Sequence, residues 1–234
     1  MRLFKCPEDN GKIGKIMECI EYTALLNINS TQADVKRSCE DAIRYKMGRI
    51  VPLQMYLPYV MEFLKGSSVK VVQGSTTDVY TKAEHLNLVE QGIKLGCCEI
   101  DMLSRLPLFF DKKYDEFQEE VHEVYKLTSG YHIPLKLIIE TGYLTDEEKI
   151  LISRLGLDAG ATFIKTCTGM RKGRGTLHDI LLLKDAFGER IKIKASGGIA
   201  SLEDAYTMLQ AGADRVAIRG LAVKQLRELG YVAA

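Results

Sequence analysis

The feature that most constrains the fold is a regular alternation of short apolar runs with segments of helical pattern. Eight runs have the length and β-rich composition of a strand: Cys19–Tyr22, Ile50–Tyr56, Val69–Gln73, Cys98–Leu103, Leu135–Glu140, Thr162–Thr166, Ile191–Ala195 and Arg215–Arg219. The later runs are continuous rather than alternating, as is typical of parallel strands covered on both faces. The chain has 234 residues, which gives about 29 per run, the size of one strand–loop–helix–loop unit.

Four of the intervening segments begin with a hydroxyl residue placed three positions before an acid. The pairs are Thr31 with Asp34, Thr145 with Glu148, Thr176 with Asp179, and Ser201 with Asp204. This spacing predicts helix N-termini, because the hydroxyl accepts an orphan backbone N–H and the acid complements the helix dipole. We expect Gly156 to end the helix that follows Thr145, and Gly212 to end the helix that follows Ser201.

Strict alternation of strands and helices predicts a parallel α/β sheet, either open and doubly wound or closed into a barrel. The chain lacks the GxGxxG pattern of an open dinucleotide-binding sheet, and it also lacks a GxxxxGK[ST] phosphate loop. It contains no linker or break in composition. We therefore predict a single (β/α)8 TIM barrel domain over residues 1–234, with a short N-terminal helical extension.

Composition excludes several classes of protein. The formal net charge is +1, which argues against nucleic-acid or membrane-surface partners, since both require a basic excess. No apolar stretch approaches the roughly 18 residues of a membrane span, and residues 1–8 carry too many charges for a signal peptide. Six cysteines occur without a CxxC pair, so we expect reduced, mostly buried thiols in a cytosolic protein.

Lysine residues inside predicted strands are the strongest indication of chemistry, because a buried ammonium is rarely kept for packing alone. In a barrel, functional side chains lie at the C-terminal ends of the strands. Lys165 and Lys194 are one strand–helix unit apart and should lie on adjacent strands. Asp101, two strands before Lys165, could reach between them. Lys192 should point the same way as Lys194 but nearer the bottom, and Glu99 with Lys136 could form an ion-pair layer below the site.

Two ammonium groups in a site of low dielectric constant disfavour each other's charge, so one lysine can become a neutral amine that attacks a carbonyl. Asp101 could then move protons through a water molecule. This arrangement is typical of a Schiff-base aldolase. The alternative is that Lys165 and Lys194 are structural residues in ion pairs.

These residues lie in segments that resemble the 2-deoxyribose-5-phosphate aldolase family. The segments are Gly96-Cys-Cys-Glu-Ile-Asp-Met102, Leu135-Lys-Leu-Ile-Ile-Glu-Thr-Gly142, Gly160-Ala-Thr-Phe-Ile-Lys-Thr-Cys-Thr-Gly169, Lys194-Ala-Ser-Gly-Gly198 and Ala211-Gly-Ala-Asp-Arg215. The resemblance implies a (β/α)8 barrel that cleaves deoxyribose 5-phosphate into acetaldehyde and glyceraldehyde 3-phosphate. It implies that Lys165 forms the Schiff base, Lys194 lowers the pKa of Lys165, and Asp101 relays protons. It implies aldehyde and sugar-phosphate ligands, no metal and no cofactor, and it allows a homodimer.

The candidate substrate contacts are Thr23, Thr168, Gly169, Ser196, Gly197, Gly198, Arg219 and Gly220. The eighth strand ends in Arg219-Gly220, where the family usually has a Gly-x-Ser-Ser-like phosphate site, and the first strand reads Glu21-Tyr22-Thr23 in place of an Asp-His-Thr-like triplet. A phosphate could still bind the N–H groups of Gly197 and Gly198, the start of the last helix and Arg219.

Several alternatives remain open at the level of sequence. Arg219 could bind a carboxylate or pair with a local acid, and the basic segment 169–174 could be a solvated surface loop. The four histidines, His85, His122, His132 and His178, are interpreted as packing or surface residues. The chain could be a Schiff-base aldolase with another donor or acceptor, or a catalytically silent relative that binds a sugar phosphate.

Overall fold

The computed structural model describes residues 10–23, 29–75, 81–171 and 173–233. Its eight strands are β1 (Ile20–Tyr22), β2 (Arg49–Ile50), β3 (Lys70–Ser75), β4 (Glu99–Leu103), β5 (Leu135–Ile138), β6 (Phe163–Lys165), β7 (Lys192–Ala195) and β8 (Arg215–Ile218). Every neighbouring pair is parallel, and β8 pairs with β1 to close the barrel. The predicted (β/α)8 TIM barrel is therefore confirmed.

Ten α-helices surround this barrel in the described part of the chain. They are α1 (Asn10–Cys19), α2 (Gln32–Arg44), α3 (Leu57–Phe63), α4 (Lys82–Leu95), α5 (Leu106–Phe110), α6 (Tyr114–Ser129), α7 (Asp146–Asp158), α8 (Leu177–Phe187), α9 (Leu202–Gln210) and α10 (Gly220–Glu228). Helix α1 precedes β1, where a short N-terminal helical extension was predicted. None of the described helices is long and apolar enough to span a bilayer.

The four predicted helix starts are capping boxes. Thr31, Thr145, Thr176 and Ser201 each accept a hydrogen bond from the backbone N–H three residues on, and the acid at that position accepts one in return. A fifth box, Thr81 with Glu84, begins α4 and was not predicted. Because these bonds join residues only three apart, the sequence suffices to place the helix starts.

The predicted ends of one helix and one strand are wrong. Gly156 does not end α7, which continues to Asp158. A Cβ at Gly156 would stand 2.4 Å from Leu137 Cδ2, so this glycine lets α7 pack closely on β5. The second strand was predicted to extend to Tyr56 but ends at Ile50, and the chain forms a 3-10 helix over Gln54–Tyr56. Pro52 lacks the N–H that would continue the ladder. By contrast, Gly212 follows α9 with a φ of 107°, as predicted.

The five cysteines in the described ranges are free thiols. Burial raises the pKa of Cys39 and of Cys97 to about 12, so these two side chains remain neutral and behave as small apolar groups in the core.

Candidate active site

The strand register places the polar side chains of β4 to β7 inside the barrel. Lys165 on β6 pairs with Lys194 on β7, and Asp101 on β4 pairs with Lys136 on β5. Paired residues of parallel strands point to the same side of the sheet. All four side chains are at most 1% exposed, so they form one buried charged group in the interior.

Asp101 lies between the two lysines, the position that the sequence analysis expected it could reach. Its Oδ2 atom accepts a hydrogen bond of 2.8 Å from Lys165 Nζ and another of 2.6 Å from Lys194 Nζ. A single carboxylate oxygen therefore joins two ammonium groups that belong to neighbouring strands. A group in this position can take a proton from either lysine and deliver it to the other.

A second layer lies directly below and is centred on Lys136. Its Nζ atom is 3.1 Å from Asp101 Oδ1, 2.9 Å from Glu21 Oε1 and 2.5 Å from Glu99 Oε2. Glu99 also accepts a hydrogen bond of 2.8 Å from Arg49 Nε. The predicted ion pair between Glu99 and Lys136 is present, and it forms part of a larger network.

Glu21 and Arg49 are the members of this network to which the sequence analysis assigned no role. Glu21 is the one that reaches the catalytic layer. Its side chain is fully buried on β1 and contacts Lys194 as well as Lys136. The available signal was a carboxylate in the middle of a short apolar run. The sequence could not identify its partners, because they belong to β5 and β7.

The lower end of the barrel is closed by an aromatic ring among cations. Lys192 Nζ lies 5.6 Å from the centre of the Phe163 ring, and the guanidinium carbon of Arg215 lies 5.7 Å from it. Lys192 is exposed, so it belongs to the bottom of the barrel and not to the buried network. This agrees with its predicted position below Lys194.

Burial and charge act in opposite directions in this network. Burial lowers the pKa of Lys194 to about 8, although Asp101 and Glu21 favour its charged form. For Asp101, burial alone would raise the pKa, but the ammonium groups of Lys136, Lys165 and Lys194 hold it well below its usual range. The pKa of Glu21 is lowered in the same way, against burial, by Lys136 and Lys194. Asp101 and Glu21 are thus ionised at neutral pH, and Lys194 loses its proton at a lower pH than an ordinary lysine does.

Lys136 shows the opposite balance. Burial lowers its pKa, but Asp101, Glu21 and Glu99 together raise it above the ordinary value for lysine. Lys136 is therefore a permanent cation at neutral pH, whereas Lys194 titrates near it.

Of the three predicted hydroxyl contacts, Thr23 and Thr168 bond the backbone through their side chains, whereas Ser196 is held through its backbone. Thr23 Oγ1 donates to the carbonyl of Ile218 at 2.9 Å, and Thr168 Oγ1 accepts from Met170 N–H at 3.2 Å. Ser196 is 3% exposed, and its N–H and carbonyl both bond the hydroxyl of Thr166. The hydroxyls of Thr166 and Thr168 therefore position the loops after β6 and β7, and the hydroxyl of Thr23 joins the ends of β1 and β8.

The remaining predicted contacts come together at the ends of β6, β7 and β8. Gly169, Gly197 and Gly198 have φ values of 74°, 96° and 77°, a region that favours glycine. Arg219 Nη2 donates to the carbonyl of Gly169 at 3.0 Å, and Gly220 is the first residue of α10. Three turn glycines, a helix start and a guanidinium therefore share one rim of the barrel.

The other polar segments have local roles. Arg174 packs against Gly198, where a Cβ would stand 2.7 Å from Arg174 Cδ, whereas Lys172 lies outside the described residues. His85 is buried beside Glu120, and His178 contacts Asp146 at 2.6 Å. Both histidines lie on helices and not at strand ends, in keeping with their interpretation as packing and surface residues.

The chain is similar to known aldolases along most of its length. It is 36% identical to the deoxyribose-phosphate aldolase of Caldicellulosiruptor saccharolyticus over 205 residues, which cover 86% of this chain and 93% of that relative. It is 37% identical to the deoxyribose-phosphate aldolase of Dictyoglomus turgidum over 204 residues, which cover 86% of this chain and 92% of that relative. A scan against models of protein families gives no match.

Solved structures give the same result. A putative deoxyribose-phosphate aldolase from Coccidioides immitis superposes with a TM-score of 0.83 at 26% identity, covering 97% of this chain and 90% of that one. An aldolase named QR15 superposes with a TM-score of 0.82 at 26% sequence identity, covering 91% of this chain and 96% of that one. With sequence identity above a third over nearly the whole length of its relatives, the chain belongs to the deoxyribose-phosphate aldolase family.

Proposed function

We propose that the protein is a Schiff-base (class I) aldolase that reversibly cleaves 2-deoxy-D-ribose 5-phosphate to D-glyceraldehyde 3-phosphate and acetaldehyde, with Lys165 as the nucleophile. The observation that carries this proposal is the shared oxygen of Asp101, which accepts hydrogen bonds from Lys165 and Lys194 inside the barrel. The choice of substrate rests on membership of the family, and the route for proton transfer rests on the shared oxygen.

The nucleophile must be a free amine. The buried network contains three carboxylates, Glu21, Glu99 and Asp101, which face three lysines and Arg49. The cations are therefore in excess, and burial lowers the pKa of Lys194 to about 8. Because Asp101 Oδ2 touches both Nζ atoms, a proton can pass from Lys165 to Lys194 and leave the amine at Lys165.

The reaction then follows from the chemistry of an amine and an aldehyde. Lys165 adds to C1 of the open-chain sugar, and loss of water gives an iminium ion. A base removes the proton of the C3 hydroxyl, the C2–C3 bond breaks, and glyceraldehyde 3-phosphate leaves. The electron pair of that bond forms an enamine, which takes a proton at C2. Water then hydrolyses the iminium ion, releases acetaldehyde and restores the amine.

Asp101 is the group that we assign to these proton transfers, acting through a water molecule. It is ionised because three ammonium groups hold its pKa well below the usual range, so it can accept a proton at neutral pH. Lys194 then serves as the cation that keeps the amine of Lys165 neutral and returns protons through the same oxygen.

The phosphate end of the substrate is assigned to the rim formed by β7, β8 and α10. The N–H groups of Gly197 and Gly198, the first turn of α10 and the guanidinium of Arg219 can all face an anion. Arg219 is exposed and is held by the carbonyl of Gly169. It therefore offers its other N–H groups to a phosphate while joining the loops after β6 and β8.

Trapping with borohydride tests the proposal. Reduction in the presence of acetaldehyde should leave an ethyl adduct on Lys165, located by mass spectrometry of peptides. Lys165→Ala should lose both the adduct and turnover, whereas Lys192→Met, which changes an exposed lysine at the bottom of the barrel, should keep both. An unmodified Lys165 in folded protein would refute the proposal.

The same samples separate the alternatives. A Schiff-base aldolase with another donor or acceptor would give the adduct but would favour other members of a panel of phosphorylated and non-phosphorylated aldehydes. A catalytically silent relative would bind deoxyribose 5-phosphate without turnover, and binding would survive in Lys165→Ala.

A further inference from the structure

Glu21 on β1 contacts one of the two catalytic lysines and not the other. Its Oε2 atom contacts the ammonium group of Lys194, and its Oε1 atom lies 2.9 Å from Lys136 Nζ. Lys165, in contrast, has Asp101 as its one carboxylate partner among the described residues. The two lysines therefore have different surroundings, although they are paired across β6 and β7.

Asp101 by itself does not decide which lysine is the free amine. Its Oδ2 atom lies 2.8 Å from Lys165 Nζ and 2.6 Å from Lys194 Nζ, so it favours a charge on either nitrogen to a similar extent. Both lysine side chains are buried, so solvent favours neither. Glu21 supplies the difference, because a carboxylate in contact with an ammonium group favours the charged form of that group.

The other charged groups in the barrel interior bring no second carboxylate to Lys165. Glu99 contacts Lys136 and Arg49 but neither catalytic lysine. Lys136 is a cation that holds Glu21 through the oxygen that faces away from Lys194. The neighbouring strands β3 and β8 add no carboxylate among their described residues: Val72 and Gly74 pair with Glu99 and Asp101, Ala217 pairs with Glu21, and Arg215 lies 4.0 Å from Glu99 at the bottom of the barrel.

We propose that Glu21 is a positioning residue that keeps the shared proton on Lys194 and so makes Lys165 the nucleophile. When the two lysines hold one proton between them, that proton moves between the nitrogens through Asp101 Oδ2. An N–H bond at Lys165 breaks, an O–H bond at Asp101 forms and breaks in turn, and an N–H bond forms at Lys194, with no change in net charge. Contact with Glu21 favours the state with the proton on Lys194. This inference rests on the proposed Schiff-base function.

The pH profile should report this role of Glu21. Its midpoint marks the loss of the first proton from the two lysines, which comes from Lys194, since burial lowers the pKa of Lys194 to about 8. Its plateau marks the fraction of molecules in which the remaining proton lies on Lys194. If Glu21 loses its charge, Lys194 binds its proton less tightly. The midpoint should then move to lower pH and the plateau should fall.

These two changes are linked in size. An opposite charge in close contact shifts a pKa by about 1–3, so Glu21→Gln should move the midpoint at least about one pH unit lower. A tenfold weaker hold of Lys194 on its proton should also lower the plateau of kcat/KM about tenfold. On the acid side of the profile both lysines are charged, and the amount of free amine depends on Lys165. There, kcat/KM should stay close to that of the wild type.

The test measures kcat/KM for deoxyribose 5-phosphate across the pH range in which Lys194 titrates. Glu21→Gln keeps the shape of the side chain and an acceptor oxygen for Lys194 but removes the charge, so it should show the linked fall of midpoint and plateau. Glu21→Asp keeps the charge but is one methylene group shorter, so it should hold Lys194 and Lys136 less closely. Its changes should be smaller and in the same ratio.

Glu99→Gln is the matched control, because it removes another buried carboxylate that contacts Lys136 but neither catalytic lysine. It should lose stability and keep its midpoint near that of the wild type.

The proposal is overturned if midpoint and plateau do not move together in Glu21→Gln, or if Glu99→Gln shifts the midpoint as far. A merely structural role would lower kcat/KM by the same factor at every pH. If Glu21→Gln does not fold, Glu21→Asp decides, and an unchanged or uniformly lowered profile refutes the proposal. Each of these results leaves the proposed function standing. The proposed function itself fails if borohydride and acetaldehyde leave Lys165 of the wild type unmodified.

Discussion

Replacement of Lys136 by methionine tests the buried charge network most directly. Methionine keeps most of the side-chain length but removes the cation that lies within 3.1 Å of three carboxylates, Glu21, Glu99 and Asp101. Removing one partner of a buried ion pair costs about 3–5 kcal/mol. Three carboxylates each lose one of their cations while keeping another, which places Lys136→Met at the upper end of this range, about 5 kcal/mol. At this chain length, that loss corresponds to a fall in Tm of roughly 10–20 °C.

The assay is urea unfolding at pH 7 together with a thermal scan. Lys192→Met is the matched control, because it makes the same substitution on an exposed lysine whose described contact is the Phe163 ring at 5.6 Å. We expect the control to lose less than about 1 kcal/mol. If Lys136→Met were no less stable than Lys192→Met, the carboxylates would not depend on Lys136 and the reasoning would be refuted.

The loss should also depend on pH in a defined direction. Asp101 and Glu21 have lowered pKa values in the folded protein. The stability they contribute is therefore present above their unfolded pKa values of about 4 and declines as the pH falls through the folded values. In Lys136→Met these carboxylates can take up protons in mild acid. The difference in free energy of unfolding between wild type and variant should thus be larger at pH 7 than at pH 4.

Three further predictions concern the site and its supports. The active form needs a free amine at Lys165, whose proton passes to Lys194. Because Lys194 must first lose its own proton and its pKa is about 8, kcat/KM should rise with pH through about 8. Lys194→Met should remove that limb of the pH profile. Arg219→Gln should raise KM at least about tenfold for deoxyribose 5-phosphate, the loss of one charged hydrogen bond, and leave KM for unphosphorylated deoxyribose unchanged; equal effects would exclude the phosphate role. Gly156→Ala should destabilise the protein by about 1–3 kcal/mol, because the added methyl group would clash with Leu137. Gly130→Ala is the control, since Gly130 has open space around it, and it should not lower stability. Denaturant midpoints measure both effects.

Local features of the sequence predicted much of the fold. The hydroxyl-to-acid pairs placed four helix starts, because a capping box is made by residues three apart. Run length and composition found all eight strands. The same local pattern gave a wrong helix end at Gly156. A glycine that ends a helix cannot be distinguished by sequence from a glycine that makes room for a side chain of another element, here Leu137.

The juxtaposition of Lys165 and Lys194 was also within reach of the sequence. They occupy equivalent places in consecutive strand–helix units, so parallel pairing brings them side by side. The reach of Asp101 followed from the same repeat. Their roles in catalysis remain predictions for the trapping experiment.

By itself, the sequence determined the alternation of elements, the helix starts, and the strands that carry the lysines and the aspartate, because these depend on residues close together in the chain or on a regular repeat. Only the tertiary structure decided the charge balance around them. Glu21 reaches Lys194 across 173 residues because β1 closes the barrel against β8. The electrostatic field at each lysine nitrogen is the sum over the charged groups that this closure brings together.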